Sequence, residues 1–116
     1  SAVLINNESF FDFKPLPNYA QFSSTNDIII QDFNNDKIND IVLVGNMYHA
    51  EIETTRNDSG NGLLLQGIGN GDFKEISVSK SGFFAPGDSK KIISLKSKND
   101  NLLIIANNDD RLQIFK

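Results

Sequence analysis

Apolar residues along this chain fall in short runs separated by polar, turn-forming residues. The runs lie at Ala2 to Ile5, Phe10 to Lys14, Asp27 to Gln31, Ile41 to Val44, Gly62 to Gln66, Phe73 to Val78, Lys91 to Leu95, Asn101 to Ala106 and Arg111 to Phe115. Each is short and bounded by turn residues, the pattern of a β-strand. No segment carries a sustained 3.6-residue apolar period with caps, so no long helix is predicted. Ile28-Ile29-Ile30 and Leu102-Leu103-Ile104-Ile105 are continuous rather than alternating. Strands of that kind are covered on both faces, which requires sheets to stack on sheets. Composition agrees: Ile occurs 14 times and Phe 9 times against 5 Ala, a bias toward strand formers. The 15 Asn and 11 Asp residues sit mostly between the runs, where they bond their own backbone and favour turns.

The order of runs repeats. Ile28-Ile29-Ile30-Gln31-Asp32 followed by Asp40-Ile41-Val42-Leu43-Val44-Gly45-Asn46 is echoed by Ile92-Ile93-Ser94-Leu95-Lys96 followed by Asn101-Leu102-Leu103-Ile104-Ile105-Ala106-Asn107. The hairpin from Leu63-Leu64-Leu65 to Phe73-Lys74 is echoed upstream by Val3-Leu4-Ile5 to Phe11-Asp12, and its first strand downstream by Leu112 to Phe115. A repeated four-strand antiparallel unit is the signature of a propeller blade. On this register residues 1–22 are the outer two strands of one blade, 23–80 a complete blade, and 81–116 the first three strands of a third. A ring closes with roughly four to eight blades. The expectation is therefore an all-β fold, an incomplete propeller of about two blades' worth of strands, either a terminal fragment or a piece that must associate. Open blade edges then invite self-association.

Charge and residue usage exclude several functions. The 116 residues hold 15 acidic and 11 basic side chains, a net charge of -4, the wrong sign for gripping phosphate backbones, so no nucleic-acid partner is expected. With no Cys, thiolate zinc sites, disulfides and cysteine nucleophiles are absent. The apolar runs are too short for membrane insertion.

The most informative segment is Asp32-Phe33-Asn34-Asn35-Asp36-Lys37-Ile38-Asn39-Asp40. It sets oxygen-bearing side chains at positions one, three, five and nine of a loop between two strands, with the Ile38 carbonyl at position seven. A hard cation such as calcium takes six to eight oxygens at about 2.3 to 2.6 Å, and alternate residues of a tight loop can turn inward to supply them. Turn chemistry alone also places Asp and Asn between strands, which leaves a second reading, a relic loop that keeps the fold without a metal.

This loop resembles the calcium loops of FG-GAP and VCBS repeats, the blades of integrin-alpha-type β-propellers. Their pattern D-x-[DN]-x-[DN]-G-x-x-D is matched by Asp32, Asn34, Asp36 and Asp40, with Ile38 at the carbonyl position; Lys37 stands where the family has Gly. Gly69-Asn70-Gly71-Asp72-Phe73 is similar to the G-x-G-x-F hairpin that follows in such blades, and Ser81 to Asp88 to an inter-blade connection of bacterial VCBS-type proteins. The third blade has Ser97-Lys98-Asn99-Asp100 in place of a metal loop, so no ligand is expected there. The resemblance implies bound calcium of weak affinity, held by Asp32, Asn34, Asp36, Ile38 and Asp40.

Other candidates lead elsewhere. His49 is the sole histidine, and no Gly-x-Ser-x-Gly elbow accompanies it, which disfavours zinc and hydrolase chemistry. Glu51 and Glu53 share a face if extended, as a glycosidase pair might, but they stand in the polar stretch Glu51 to Asn61 and read as a solvated loop. Asn7-Glu8-Ser9 and Asn57-Asp58-Ser59 are sequons by pattern alone. Phe83 and Phe84 read as a plug between neighbouring blades, with ligand stacking as the alternative. The sequence thus points to a calcium-stabilised, non-catalytic interaction module of an exported, periplasmic or cell-surface protein, binding a protein or a glycan. The alternative is a non-catalytic or substrate-binding part of a larger carbohydrate-active enzyme.

Overall fold

The computed structural model describes residues 1–48, 60–98 and 100–116. The described chain is an all-β fold of three antiparallel sheets. β1 (Ala2–Asn6) and β2 (Phe11–Pro15) form a hairpin, followed by a 3-10 turn at Asn18–Gln21. β3 (Thr25–Gln31), β4 (Asp40–Gly45), β5 (Leu63–Gly69) and β6 (Asp72–Ile76) form a four-stranded meander in chain order. After the short helix α1 (Val78–Ser81), β7 (Ser89–Lys96), β8 (Asn101–Asn107) and β9 (Gln113–Phe115) make a three-stranded meander. The last strand is shorter than the run from Arg111 suggests, and the third begins earlier, with a register irregularity between Thr25 and Asp27.

The middle sheet lies between the other two, and strand alternation explains how. Successive side chains of β4 point to opposite faces. Val42 and Val44 pack with Phe83, Ala85, Ile92 and Ile105 toward the β7–β9 sheet. Ile41 and Leu43 pack with Leu16, Ala20 and Leu65 toward the β1–β2 hairpin. Every residue of β4 is buried, as a strand covered on both faces requires.

Full coverage does not extend to every continuous run. Ile28 pairs with Leu43 and Ile30 with Ile41, yet both lie beyond the reach of the two-stranded hairpin, and Ile30 is 57% exposed. On the last sheet Ile92 and Ile105 face inward while Ile93, Leu95 and Ile114 are exposed. An apolar run shows that a strand could be covered and leaves open what covers it.

Polar contacts lock the layers. Asp27 on β3 accepts the Ile92 N–H at 2.9 Å and the Lys91 ammonium at 3.0 Å, and Ser94 Oγ donates to Gln31 Oε1 at 3.1 Å. On the other side Lys14 Nζ donates to the Asn70 carbonyl at 2.6 Å and to Asp72 Oδ1 at 3.1 Å, tying the hairpin to the β5–β6 turn. That turn is built by Asn70 and Gly71, both at positive φ (54° and 73°), the conformation of a two-residue hairpin turn. Gly71 has a further reason to lack a side chain, because a Cβ there would collide with Ile5 of the hairpin.

Phe83 and Phe84 do not act as a pair. Phe83 is buried, with its ring 4.9 Å from that of Phe115. Phe84 is 48% exposed, which corrects the expectation that both plug a gap between layers. The segment is irregular between α1 and β7, with Phe83 and Ala85 both buried in one cluster and Phe84 between them turned away.

Candidate metal centre

Asp32 to Asp40 connects β3 to β4, the first two strands of the four-stranded sheet. Its turns are made by Asn35 and Lys37, at φ 63° and 70°. Lys37 therefore occupies the left-handed region at the position where the resembled loops carry glycine, a conformation with a steric cost for a residue with a Cβ.

Side-chain oxygens hold the loop through its backbone. The Asp36 N–H donates to Asp32 Oδ1 at 3.2 Å and to Asn34 Oδ1 at 2.9 Å. Asp32 Oδ2 accepts the Lys37 N–H at 2.8 Å, and Asp36 Oδ1 accepts the Ile38 N–H at 2.8 Å. Asn34 Nδ2 donates to Asp36 Oδ2 at 2.8 Å. Asp32, Asn34 and Asp36 are thus brought together, the first two within hydrogen-bond reach of a single N–H.

Asp40 is placed differently. It is buried, 2% exposed, with Oδ2 accepting the Phe33 N–H at 3.0 Å and Oδ1 accepting the Gly67 N–H of β5 at 2.9 Å. It closes the loop on itself and fastens it to the third strand of the sheet. Gly67 permits this approach, since a Cβ there would strike the Asn39 carbonyl and Ile38. Among the described residues no group of three or more His, Cys, Asp or Glu side chains is gathered as a metal cluster.

The donor set offered by the loop is oxygen alone, from two carboxylates, one amide and the Asp40 carboxylate, a chemistry that suits a hard cation. Each Asp40 oxygen keeps a lone pair beyond the N–H it accepts. The residues present fit calcium in kind, and Asp32, Asn34 and Asp36 are the ones already convergent.

Asn46 is one of the buried polar groups, with Asp88 and Ser89, that the sequence pattern did not single out as a site. Its side chain is fully buried; Oδ1 accepts from Ser23 Oγ and the Gly60 N–H, both at 2.8 Å, and Nδ2 donates to the carbonyls of Gly60, Pro86 and Gly87. It fastens the end of β4 to the connection before β7. The only signal in the sequence is an Asn closing an apolar run, which turn chemistry explains equally well.

The remaining candidates separate from this loop. His49, Glu51, Glu53 and the Asn57 sequon lie outside the described residues. The Asn7 sequon lies in the β1–β2 turn. A cleft lined by Tyr19, Leu43, Leu63, Glu75 and Phe83 includes no residue of 32–40, and among the described residues Glu75 is its one carboxylate. Among the described residues no helix is long and apolar enough to cross a membrane.

Set against protein-family models, curated proteins and solved structures, the chain finds no match in any of the three. The likeness to FG-GAP and VCBS repeats rests on the residues of this chain alone.

Proposed function

We propose that this chain is a calcium-stabilised, non-catalytic interaction module whose three sheets are blades of a β-propeller of FG-GAP or VCBS type. The observation that carries the reading is the position of the oxygen-rich loop between the first two strands of a four-stranded meander, with Asp32 and Asn34 converging on the Asp36 N–H. The strands also group as two, four and three, the counts of an outer hairpin, a whole blade and a blade lacking its fourth strand.

Register adds support. The row Ile29–Val42–Leu64 crosses β3, β4 and β5, and the row Ile93–Ile104–Ile114 crosses β7, β8 and β9 in the same way. The sequence echo sets Val44 against Ile105, but those residues meet face to face in one cluster, whereas stacked layers need like positions pointing the same way. Sliding the second strand by one residue, so that Leu43 matches Ile105, restores the agreement, because one residue reverses a strand's faces.

In this reading calcium stiffens the loop, and surface loops of the assembled propeller bind a protein or a glycan. Loops of this kind bind in the weak range suited to calcium outside the cell, which favours an exported or surface protein. Calcium titration by calorimetry tests the metal part. A glycan array and pull-down with the parent protein test the ligand class, with no retained partner on either counting against an interaction role.

A further inference from the structure

A cleft of about 180 Å³ opens where the 3-10 turn at Asn18–Gln21, the start of β5 and the end of β6 meet, and it shares no residue with the Asp32 to Asp40 loop. Two aromatic rings line it. A 3-10 turn has three residues per turn, so residues three apart stand on one side; Tyr19 and Phe22 do so, tied by the bond from the Phe22 N–H to the Tyr19 carbonyl, with ring centroids 5.2 Å apart at 58°. Ala20 between them is buried against the middle sheet, and Gln21 Nε2 donates to the Leu16 carbonyl at 3.1 Å. The rings themselves stay 60% and 57% exposed. They are thus held by the burial of a neighbour rather than by their own.

Polar groups without partners share the cleft. Ser24 Oγ is buried and bonds nothing, whereas its neighbours are engaged, Ser23 Oγ with Asn46 Oδ1 at 2.8 Å and Thr25 Oγ1 with Ser1 Oγ at 3.4 Å. A buried hydroxyl in that state is destabilising. Among the described residues the side chains of Asn61 and Glu75, which also line the cleft, make no hydrogen bond or ion pair. Together these groups offer a hydroxyl, an amide that both donates and accepts, and a carboxylate acceptor. No Lys, Arg or His stands among the described lining residues.

That combination selects the ligand. Exposed rings beside a mixed set of donors and acceptors suit a molecule with an apolar C–H face and a rim of hydroxyls, which is a sugar ring. An ammonium ligand would use the rings and the carboxylate but would offer the hydroxyl and amide donors nothing to bond. An anionic sugar would meet Glu75 with no cation to balance it. The volume lies below the roughly 300 Å³ of a pocket for a drug-sized molecule, which limits the occupant to a single ring. We infer that this cleft binds one neutral pyranose residue, stacked on Tyr19 and Phe22 and hydrogen-bonded by Asn61 and Glu75, with Ser24 Oγ brought to it by a change of its one side-chain torsion. The site names a ligand class for the interaction module proposed above and rests on that reading for its role alone; its geometry needs neither calcium nor a closed ring.

Ligand-observed saturation-transfer NMR on this chain in chelator, against methyl glucoside, methyl galactoside, methyl mannoside, N-acetylglucosamine and glucuronate, tests it. A ligand of this size binds at about 1 to 10 mM. Transfer is expected to at least one neutral sugar, strongest on its ring C–H protons, and not to glucuronate. Tyr19→Ala and Phe22→Ala each weaken binding about fivefold, whereas Phe13→Ala, at an exposed ring outside the cleft, leaves it unchanged. Ser24→Ala weakens binding yet keeps the melting midpoint at or above that of the wild type, because its hydroxyl bonds nothing in the free chain. Glu75→Gln narrows the discrimination against glucuronate. Far-UV dichroism checks that each variant folds, and Tyr19→Leu or Phe22→Leu replaces one that does not. No neutral sugar bound at about 50 mM, well above the expected range, or glucuronate bound as well as the neutral sugars, overturns the inference. Sugar binding that survives both ring substitutions also overturns the cleft as the site, while leaving the interaction role itself standing.

Discussion

The Gly67 N–H donates to Asp40 Oδ1 at 2.9 Å across a buried contact between the first residue of β4 and β5, the next strand along the chain. The ninth position of the loop thus carries a structural duty that needs no metal, since its other oxygen takes the Phe33 N–H. Asp32, Asn34 and Asp36 hold the exposed end of the loop, so the buried anchor and the exposed turn fall on different residues.

That division is measurable in chelator. Asp40→Ala removes two charge-assisted bonds and strands a buried N–H, at a cost on the order of 3 kcal/mol. Asp36→Ala removes exposed local bonds and costs under about 1 kcal/mol. Urea unfolding of the two variants separates them; equal losses contradict the assignment of Asp40 to the fold.

The two adjacent phenylalanines separate in the same way. Phe83→Ala opens a cavity beside Phe115, Val42 and Ile105 and costs about 3 to 5 kcal/mol. Phe84→Ala stays within about 0.5 kcal/mol of the wild type, as an exposed substitution does. Denaturant midpoints of both variants check the contrast.

Acid sensitivity follows from two carboxylates. At Asp27 burial pushes the pKa up, but the Ile92 N–H and the Lys91 ammonium outweigh it and hold the carboxyl below its ordinary 3.8. At Asp88 burial again raises the pKa, and Lys90 and Asn108 outweigh it. A folded pKa below the unfolded one means the unfolded chain binds more protons as pH falls between them. The stability these groups add is complete above the ordinary carboxyl value and is lost as pH drops through the lower folded values. The urea midpoint is therefore flat from about pH 7 to 5 and falls below about pH 4. Asp27→Asn removes part of that fall, a change read directly from the same series.

Strand existence was legible in the sequence because β-branched runs and their Asn, Asp and Gly boundaries are local signals, and each of the nine runs overlaps a strand of the structure, though the run from Phe73 ends on the first residue of α1. The Asn70-Gly71 turn was legible for the same reason. Asn46 was not, since its bonds reach Ser23, Pro86 and Gly87, contacts that only folding creates. Nor was the exposure of Ile28, Ile30 and Phe84, because hydrophobicity states a preference and topology decides whether it is met. The loop between Asp32 and Asp40 was recognised by its spacing, yet its division of labour was hidden: nothing local shows that Asp40 reaches Gly67.

The melting midpoint with and without calcium tests the central claim most directly. Calcium bound by the native loop alone, at about a hundred times its dissociation constant, adds roughly 2.7 kcal/mol, and each kcal/mol raises the midpoint of a domain this size by about 4 °C. Millimolar calcium therefore raises the midpoint visibly; magnesium, which demands a small octahedral cage, does much less. Asp36→Ala abolishes the response. Lys37→Gly strengthens it, by relieving a left-handed backbone at φ 70° and removing a nearby positive charge. A folded wild-type chain whose midpoint and calorimetric trace are the same in calcium and in chelator would contradict the account and leave Asp32 to Asp40 a loop held by hydrogen bonds alone.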